Sequence, residues 1–443
     1  KLPPGCLLTV SLREREPKVC AYWSGAQAAM AGVSSVFAGT DDQAVDELET
    51  LLKDAVRQQM MADVPLGAFL SGGVDSSTVV ALMQAQSSRP VKTFTIGFNE
   101  GGYNEAEHAK AVARHLGTDH TELYVTSEQA RAVIPRLSAL YDEPFADSSQ
   151  IPTFLVSLMT RQHVTVSLSG DAGDELFYGY NHYQMTTRLW DGMRAVPAPL
   201  RRLVAHCVTR LSPQVWDRLA AATGGLLPRS LRNSFQGDKL HKTAALLDCE
   251  SVDALYLRLA SYWHEPAAIV IGGQEAATYL MGNVPVLTGL SGVQRMMALD
   301  MLTYLPDDIL VKVDRAAMGV SLETRVPLLD HRVVEFAWRL PQSMKLRDGQ
   351  TKWALRQVLY RYVPRELIER PKMGFGIPLH EWLRGPLRDW AEALLDESRL
   401  RQEGYLSPTP IQQRWKEHLS GHRNWAAHLW PVLMFQSWLE AQG

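Results

Sequence analysis

The sequence predicts an α/β protein: a parallel, twisted sheet with helices on both faces, joined to a mostly helical C-terminal region. Short apolar runs alternate with amphipathic segments as far as about residue 182, which is typical of consecutive βαβ units. From about Tyr183 onward the strand signal fades, and long segments rich in Leu, Ala, Arg and Trp indicate helices. A glycine-rich loop directly after the first strand of this pattern predicts a ligand site at the carboxyl edge of the sheet.

Four strands are expected in the α/β part, at residues 66–70, 91–98, 120–125 and 164–168. The second is the clearest, because Phe94, Ile96 and Phe98 alternate with Thr95 and Gly97. The helices around these strands are expected at about 41–61, at a segment that ends before 117, at 127–141 and at 151–161. Strands separated by helices pair in parallel, so the loops that follow them should meet at one edge.

Length and composition narrow the class of protein. The 443 residues suffice for two or three domains, and 46% hydrophobic with 21% charged residues is typical of a soluble globular chain. A net charge of −3 argues against nucleic acid as a partner, and no run of about 18 apolar residues predicts a membrane span. Four scattered cysteines without a CxxC pair disfavour zinc, a disulfide framework and a persulfide-carrying tRNA thiolase. Without a signal-peptide pattern, we expect a cytoplasmic protein, whose oligomeric state the sequence does not indicate.

The chain divides into a short opening segment and one long domain. Residues 1–23 contain two short strand-like runs, which we interpret as the tail of a missing N-terminal domain because two strands make no stable domain alone. Residues 24–40, rich in Ala, Gly and Ser, are interpreted as a linker, so that 1–40 precede the main domain. Within 41–443 we expect an α/β core at 41–182, and a mainly helical part at 183–443 that completes the active site.

The sequence LSGGVDSS at 70–77 has the composition of a phosphate site. Its glycines allow the backbone to turn tightly and approach an anion, and the N–H groups and dipole of the following helix favour negative charge. Serine hydroxyls add donors, and Asp75 offers a carboxylate for a phosphate-bound Mg²⁺. An ordinary helix N-cap explains one serine or aspartate, but not the whole set. The loop is not a Walker A motif, because GxxxxGK[ST] does not occur.

Four other stretches are candidates for the site. SGDAGDE at 169–175 ends the fourth strand and could bind Mg²⁺ against Asp75 or position an amine, although acidic residues also favour a helix start by themselves. DEPFADSS at 142–149 is either a site loop or a solvated turn. Lys312 and Arg315 lie in an apolar stretch, for which a buried salt bridge is the alternative. RPKMGFGIP at 370–378 presents Lys372 from a loop shaped by proline and glycine, or is an ordinary exposed loop.

The SGGVDSS sequence at 71–77 resembles the pyrophosphate loop of the ATP pyrophosphatases, which include the asparagine, GMP, NAD and argininosuccinate synthetases. Taken in order, the motifs are similar to the synthetase domain of the glutamine-dependent asparagine synthetases. The similarity runs from about residue 1 to 440 and rests on SGGVDSS, FTIGF, DEPFADSS, SGDAGDELF, YLPDDILVKVDRAAM, SLETRVPLLD and RPKMGFGIP. It implies the adenine nucleotide α-hydrolase-like fold and the use of ATP and Mg²⁺. In that family a β-aspartyl-AMP intermediate forms, and ammonia then displaces AMP to give asparagine.

The resemblance also implies roles for individual residues. The nucleotide would be bound by Leu70 and Ile96 at the adenosine, by Ser71, Gly72, Gly73, Asp75, Ser76 and Ser77 at the pyrophosphate, and by Ser169 and Gly170. Mg²⁺ would be held by Asp75 and Asp174. Asp171 would face the acyl-adenylate, and Lys372 would be the catalytic lysine.

Two departures from the family leave alternatives open. Ala172 stands where the family often has Gly, and a positive φ there would cost about 1 kcal/mol. The N-terminal glutaminase domain, which supplies ammonia in the family, is absent from this chain. The substrate could also be another carboxylate, as in the related β-lactam synthetases, lasso-peptide cyclases and sugar-acid amidases. A silent domain that only binds nucleotide is a further alternative, which the intact motifs disfavour.

Overall fold

A five-stranded parallel sheet forms the centre of the protein, in the strand order β5-β4-β3-β6-β7. The computed structural model describes residues 1–13, 15–98, 106–223, 237–275, 278–279, 287–370 and 376–443. The five strands are β3 (Leu66–Phe69), β4 (Lys92–Phe98), β5 (Asp119–Val125), β6 (Val166–Leu168) and β7 (Glu323–Arg325). Two antiparallel pairs lie outside it, β1 (Cys6–Thr9) with β2 (Lys18–Ala21) and β8 (Leu346–Arg347) with β9 (Gln350–Thr351).

Helices surround this sheet and make up most of the second half of the chain. The first half contains α1 (Gly25–Ser34), α2 (Asp41–Gln59), α3 (Val74–Ala85), α4 (Ala106–Leu116), α5 (Ser127–Arg131), α6 (Ile134–Leu140), α7 (Gln150–Arg161), α8 (Gly173–Leu176), α9 (Asn181–Arg194), α10 (Ala198–Arg210) and α11 (Pro213–Thr223). The second half contains α12 (Gly237–Leu246), α13 (Val252–Ala260), α14 (Gly292–Leu302), α15 (Leu310–Met318), α16 (His331–Arg339), α17 (Trp353–Leu359), α18 (Arg365–Ile368), α19 (Leu379–Arg384), α20 (Arg388–Leu394), α21 (Glu397–Glu403), α22 (Pro408–Leu419) and α23 (Ala426–Gln442). A π-helical turn at Leu305–Ile309 leads directly into α15.

Each face of the sheet has its own hydrophobic core. Ala68 and Leu168 point to one face, where they pack with α2, α3, α14, α16 and α17. Phe94 and Ile96 point to the other, where they pack with α6, α7 and the C-terminal helices. The alternation of side chains along each strand therefore supplies both cores, which confirms the prediction of a parallel sheet covered on both sides.

The four predicted strands are all present, but the fifth was missed. β7 pairs in parallel with β6, with Leu168 opposite Arg325. Its three residues, ETR, have neither the apolar alternation nor the length by which a strand is recognised in sequence. One predicted helix, 127–141, is divided into α5 and α6, because Pro135 occupies the first turn of a new helix.

The stretch expected to be a linker is folded. Within 24–40, the helix α1 is capped by Ser24 and buries Ala26, Ala29 and Gly32. A Cβ at Gly32 would lie 2.5 Å from the Cβ of Trp338 on α16, so the small residues serve close helix packing. Composition alone does not distinguish such a helix from a linker, and the prediction of a linker here was wrong. The other domain boundaries, and the assignment of 1–23 to a missing domain, stay predictions.

No helix in the described part of the chain combines the length and the apolar character that crossing a bilayer requires.

Candidate functional site

The sheet order brings the two glycine-rich loops together. β3 lies between β4 and β6 and pairs with both in parallel, so the loops after β3 and β6 leave adjacent strands at the same edge. The strand order reverses direction at this position, which is where open α/β sheets bind ligands. A cleft of about 660 Å³ opens here, and residues of both loops line it.

The loop after β3 is shaped for an anion. Gly72 has a φ of +70°, and a Cβ at this position would lie 2.8 Å from the backbone nitrogen of Ala109, so glycine is required. The hydroxyls of Ser71 and Ser76 are 2.9 Å apart, and the N–H of Gly73 donates to the Ser71 hydroxyl at 3.3 Å. Gly73 is the N-cap of α3 and makes no side-chain capping bond, so no side chain at the cap competes for the first-turn N–H groups of the helix.

The loop after β6 packs directly on this helix start. A Cβ at Gly170 would lie 2.5 Å from the nitrogen of Ser76, and one at Gly173 would lie 2.2 Å from a carboxylate oxygen of Asp75. Glycine at these two positions lets the loops touch. Between them, Ala172 has a φ of 73°, so the strain anticipated for a non-glycine residue at this position is present.

Lys352 joins the two loops. Its ammonium group binds the Asp75 carboxylate and, at 2.7 Å, the Asp174 carboxylate. The residue is 5% exposed, and its pKa is raised because the attraction of the two carboxylates outweighs the desolvation that lowers it. Lys352 precedes α17 with a φ of 58°, and a Cβ at Gly179 would lie 2.1 Å from its Cε. A single buried cation therefore occupies the point where Asp75 and Asp174 converge.

Two further acidic groups lie along the second loop. Asp171 accepts a hydrogen bond from the Ser169 hydroxyl, and burial raises its pKa, as do Asp75 and Asp174 more weakly. Glu175 is buried and accepts a bond of 2.6 Å from the Tyr180 hydroxyl. Burial and the neighbouring Asp174 raise the pKa of Glu175 to about 7. Glu175 can therefore exchange a proton near neutral pH, which suits acid–base chemistry.

The stretches around 142–149 and 310–315 meet beside this cleft. Lys312 is 9% exposed and donates a bond of 2.7 Å to Asp147, so the buried salt bridge foreseen as an alternative exists. Lys312 also lines the cleft, whereas Arg315 forms an exposed pair with Asp142. The pair Asp147–Lys312 therefore belongs to the wall of the site.

Most of the residues proposed for the site line the cleft. They are Leu70, Ser71, Gly72, Gly73, Asp75, Ser76, Ile96, Ser169, Gly170, Asp171 and Asp174. Ser77 does not: its side chain is fully buried within α3, and its hydroxyl has no hydrogen-bond partner among the described residues. Lys372 lies outside the described residues, so its catalytic role stays a prediction, as do the roles of the others.

Two site residues were missed by the sequence analysis. Lys352 stands in a short polar turn, GQTK, which carries no motif-like signal. Arg370 lines the cleft and donates to the backbone carbonyls of Ser71 and Gly72 at 3.3 and 3.2 Å, so it supports the phosphate loop. Arg370 is the first residue of the motif at 370–378, so this loop of prolines and glycines is the signal that could have indicated it.

The sheet, the uncapped helix start and the paired acidic loop define an adenine nucleotide α-hydrolase-like α/β domain. Comparison with known proteins identifies the family within this class. The model of the asparagine synthase family matches residues 47–440, and the chain belongs to that family.

Individual relatives are similar over most of this chain. A Mycobacterium tuberculosis H37Rv protein named "Putative asparagine synthetase [glutamine-hydrolyzing]" is 34% identical over 99% of the chain and 63% of its own length. Asparagine synthetase 1 of Bacillus subtilis is 31% identical over 90% of the chain and 59% of its own length. A more distant relative, Amidase chry2 of Gibberella zeae, is 24% identical over 83% of the chain and 57% of its own length. The chain thus spans about three fifths of these relatives.

Proposed function

We propose that this chain is the synthetase part of an AMP-forming carbon–nitrogen ligase, which makes asparagine from aspartate, ATP and ammonia. The aspartate side-chain carboxylate attacks the α-phosphate of ATP, releasing pyrophosphate. Ammonia then attacks the acyl carbon, and AMP leaves. The observation that carries the proposal is the meeting of the phosphate-type loop at 70–77 and the acidic loop at 169–175 in one cleft, joined by Lys352.

The cleft offers a place for each part of this reaction. The first-turn N–H groups of α3 and the hydroxyls of Ser71 and Ser76 suit the pyrophosphate. Lys352 stabilises negative charge that develops on the phosphates. Asp171, whose pKa is raised by burial, faces the cleft from the neighbouring loop and can accept the proton that the attacking ammonia loses. The catalytic role of Lys372 belongs to this proposal as well.

Mg²⁺ is the metal that the family implies, and the donor set suits it. Asp75 and Asp174 converge on one cation position, which the Lys352 ammonium fills. Carboxylate oxygens are preferred ligands of Mg²⁺, which usually takes only one or two of them beside phosphate oxygens and water. In the described residues no cluster of three or more His, Cys, Asp or Glu side chains is arranged for a metal. When bound, the ion would neutralise charge on the phosphates.

Another carboxylate substrate is the second candidate. The Gibberella relative is named an amidase and not an asparagine synthetase, so the relatives of this chain do not all carry the same name. A sugar acid, a peptide or a β-lactam precursor would use the same adenylating half of the cleft. A further alternative is a domain that binds a nucleotide and catalyses no reaction.

The nitrogen source is proposed from the relatives. Those from Mycobacterium and Bacillus are named glutamine-hydrolyzing, and the chain spans about three fifths of them. We propose that a glutaminase domain supplies ammonia in the full-length protein and that this chain alone uses ammonia from solution.

The test is amide synthesis by the purified chain. It is incubated with MgATP, ammonium chloride and either aspartate or one of a panel of sugar acids and peptides, and AMP, pyrophosphate and amide are measured. We expect equal amounts of the three products with aspartate, and no glutamate from glutamine. The rate at limiting total ammonium should rise with pH, because NH₃ is the nucleophile. AMP with another carboxylate alone would favour the second candidate, and no AMP with any of them would reject the proposal.

A further inference from the structure

The buried ammonium group of Lys312 has unused hydrogen-bonding capacity. An ammonium group carries three N–H donors. Within the described residues, Lys312 makes one hydrogen bond, to Asp147 at 2.7 Å, although it is only 9% exposed. Since Lys312 lines the cleft, its two remaining N–H groups can donate to acceptors of a ligand bound there. By comparison, Lys352 engages two carboxylates.

Lys312 lines the same cleft as Asp171 and the phosphate loop. Burial raises the pKa of Asp171, Lys312 lowers it, and Asp75 and Asp174 raise it, so all three charged side chains are close enough to affect this carboxyl. Burial lowers the pKa of Lys312, but Asp147, Asp171 and Asp308 raise it. For Lys352 the carboxylates that raise the pKa are Asp174 and Asp75. The cleft therefore has two separate buried cations with different partners: Lys352 binds Asp75 and Asp174, and Lys312 binds Asp147. Lys352 serves the phosphate side, which leaves Lys312 for the remainder of the acyl substrate.

A second carboxyl controls how strongly Lys312 is neutralised. The π-helical turn at Leu305–Ile309 places Asp308 four residues before Lys312, against the Asp147 carboxylate. Burial and Asp147 raise the pKa of Asp308 to about 7. Around this carboxyl lie the uncharged hydroxyls of Tyr141, Tyr262 and Tyr304, whose own pKa values are raised, first by burial. Among the described residues, Lys312 is the cation that lowers the pKa of Asp308.

From this arrangement we infer that Lys312 determines substrate specificity by binding a second carboxylate of the acyl substrate, the one that is not adenylated. Asp147 and Asp308 are positioning residues: Asp147 binds the ammonium group, and Asp308 lies against Asp147. The inference rests on the proposed function, and it favours dicarboxylic substrates over monocarboxylic ones of similar size.

The experiment compares Lys312→Met with the wild type on two substrates. Aspartate has the second carboxylate, and β-alanine is the same molecule without it. We expect Lys312→Met to raise the KM for aspartate by about 10- to 100-fold, the range for a lost hydrogen bond to a charged group. The KM values for ATP and β-alanine should stay within about twofold, and Lys312→Arg should restore part of the loss. Arg315→Met, on the same helix but in an exposed pair, is the matched control and should leave all three KM values unchanged.

Folding and pH give independent readouts. If Lys312→Met unfolds because Asp147 is left unpaired, the double variant Asp147→Asn/Lys312→Met removes both charges, and it should show the same loss for aspartate. In the wild type, the KM for aspartate should rise above about pH 7, where Asp308 ionises and competes for the ammonium; Asp308→Asn should flatten this rise. These KM values are measured at saturating ATP and ammonia.

The outcomes separate the two proposals. An unchanged KM for aspartate in Lys312→Met, or an equal rise for ATP, aspartate and β-alanine, would overturn the role of Lys312 while leaving the ligase proposal intact. If the wild type forms no AMP with any carboxylate, the proposed function fails, and this inference fails with it.

Discussion

Lys352 should contribute both to folding stability and to catalysis through its contacts with Asp75 and Asp174. Replacing it by Met removes the cation and keeps most of the side-chain volume. The Cβ at this positive-φ position also stays, so backbone strain is unchanged. Two carboxylates that shared one ammonium, Asp75 and Asp174, then face each other in a site where the lysine was 5% exposed.

The magnitude follows from burial. Removing one partner of a buried ion pair typically costs about 3–5 kcal/mol, because the remaining charge is left uncompensated. We therefore expect Lys352→Met to lower the free energy of unfolding by about 3 kcal/mol without Mg²⁺. A divalent cation can take the vacated position between the carboxylates, and at a concentration of about 100 times its Kd it would return about 2.7 kcal/mol. Pyrophosphate release should fall by about 10²- to 10³-fold, the range for losing one preorganised group that stabilises transition-state charge.

The assay is urea unfolding with and without MgCl₂, together with pyrophosphate release at saturating substrates. Lys92→Met is the matched control, since Lys92 pairs with Asp119 at 2.7 Å with side chains 43% and 57% exposed. Its loss should be below about 1 kcal/mol and independent of Mg²⁺. A Lys352→Met protein that loses less than about 1 kcal/mol and responds to Mg²⁺ no more than the wild type would refute the reasoning. The proposed metal site is tested separately with Asp75→Asn, which removes the charge and keeps a hydrogen-bond partner near Lys352.

Three further predictions concern single residues. Gly170→Ala should lower pyrophosphate release more than tenfold and destabilise the fold by about 1–3 kcal/mol, because the added Cβ would lie 2.5 Å from the nitrogen of Ser76. Unchanged kinetics would mean that the two loops need not touch. Ala172→Gly should raise the free energy of unfolding by up to about 1 kcal/mol, since relief of left-handed strain exceeds the added entropy of the unfolded chain, and a loss in urea unfolding would contradict this. Burial lowers the pKa of Lys345 to about 7, so the folded state binds fewer protons there than the unfolded state. The loss of folding stability caused by burying this ammonium group is full below about pH 7 and disappears toward the unfolded pKa of 10.5. Lys345→Met should therefore stabilise the protein by at least about 1 kcal/mol at pH 7 and by less at pH 10. A stabilisation that grows with pH would contradict this prediction.

The sequence by itself determined the α/β class, four of the five sheet strands and the two loops that line the cleft. Each of these depends on residues close together in the chain. Phe94, Ile96 and Phe98 identify their strand by alternation, and the two glycines and the serines of 70–77 specify a loop that opens a helix. The meeting of this loop with the one at 169–175 was also predictable, because parallel strands carry their following loops to a common edge.

Only the tertiary structure decided which distant groups complete the site. Lys352 reaches Asp75 from 277 residues further along the chain, and Lys312 reaches Asp147 from 165 residues away. The short strand β7 likewise exists because β6 offers it a free edge, although its ETR sequence favours no strand. Neither lysine belongs to a spacing pattern that local physics requires, since a buried ion pair depends on the position of both partners in space and not on their neighbours in sequence. The local sequence therefore predicts the loops that carry the carboxylates, whereas the packing of the helical region determines which lysines reach them.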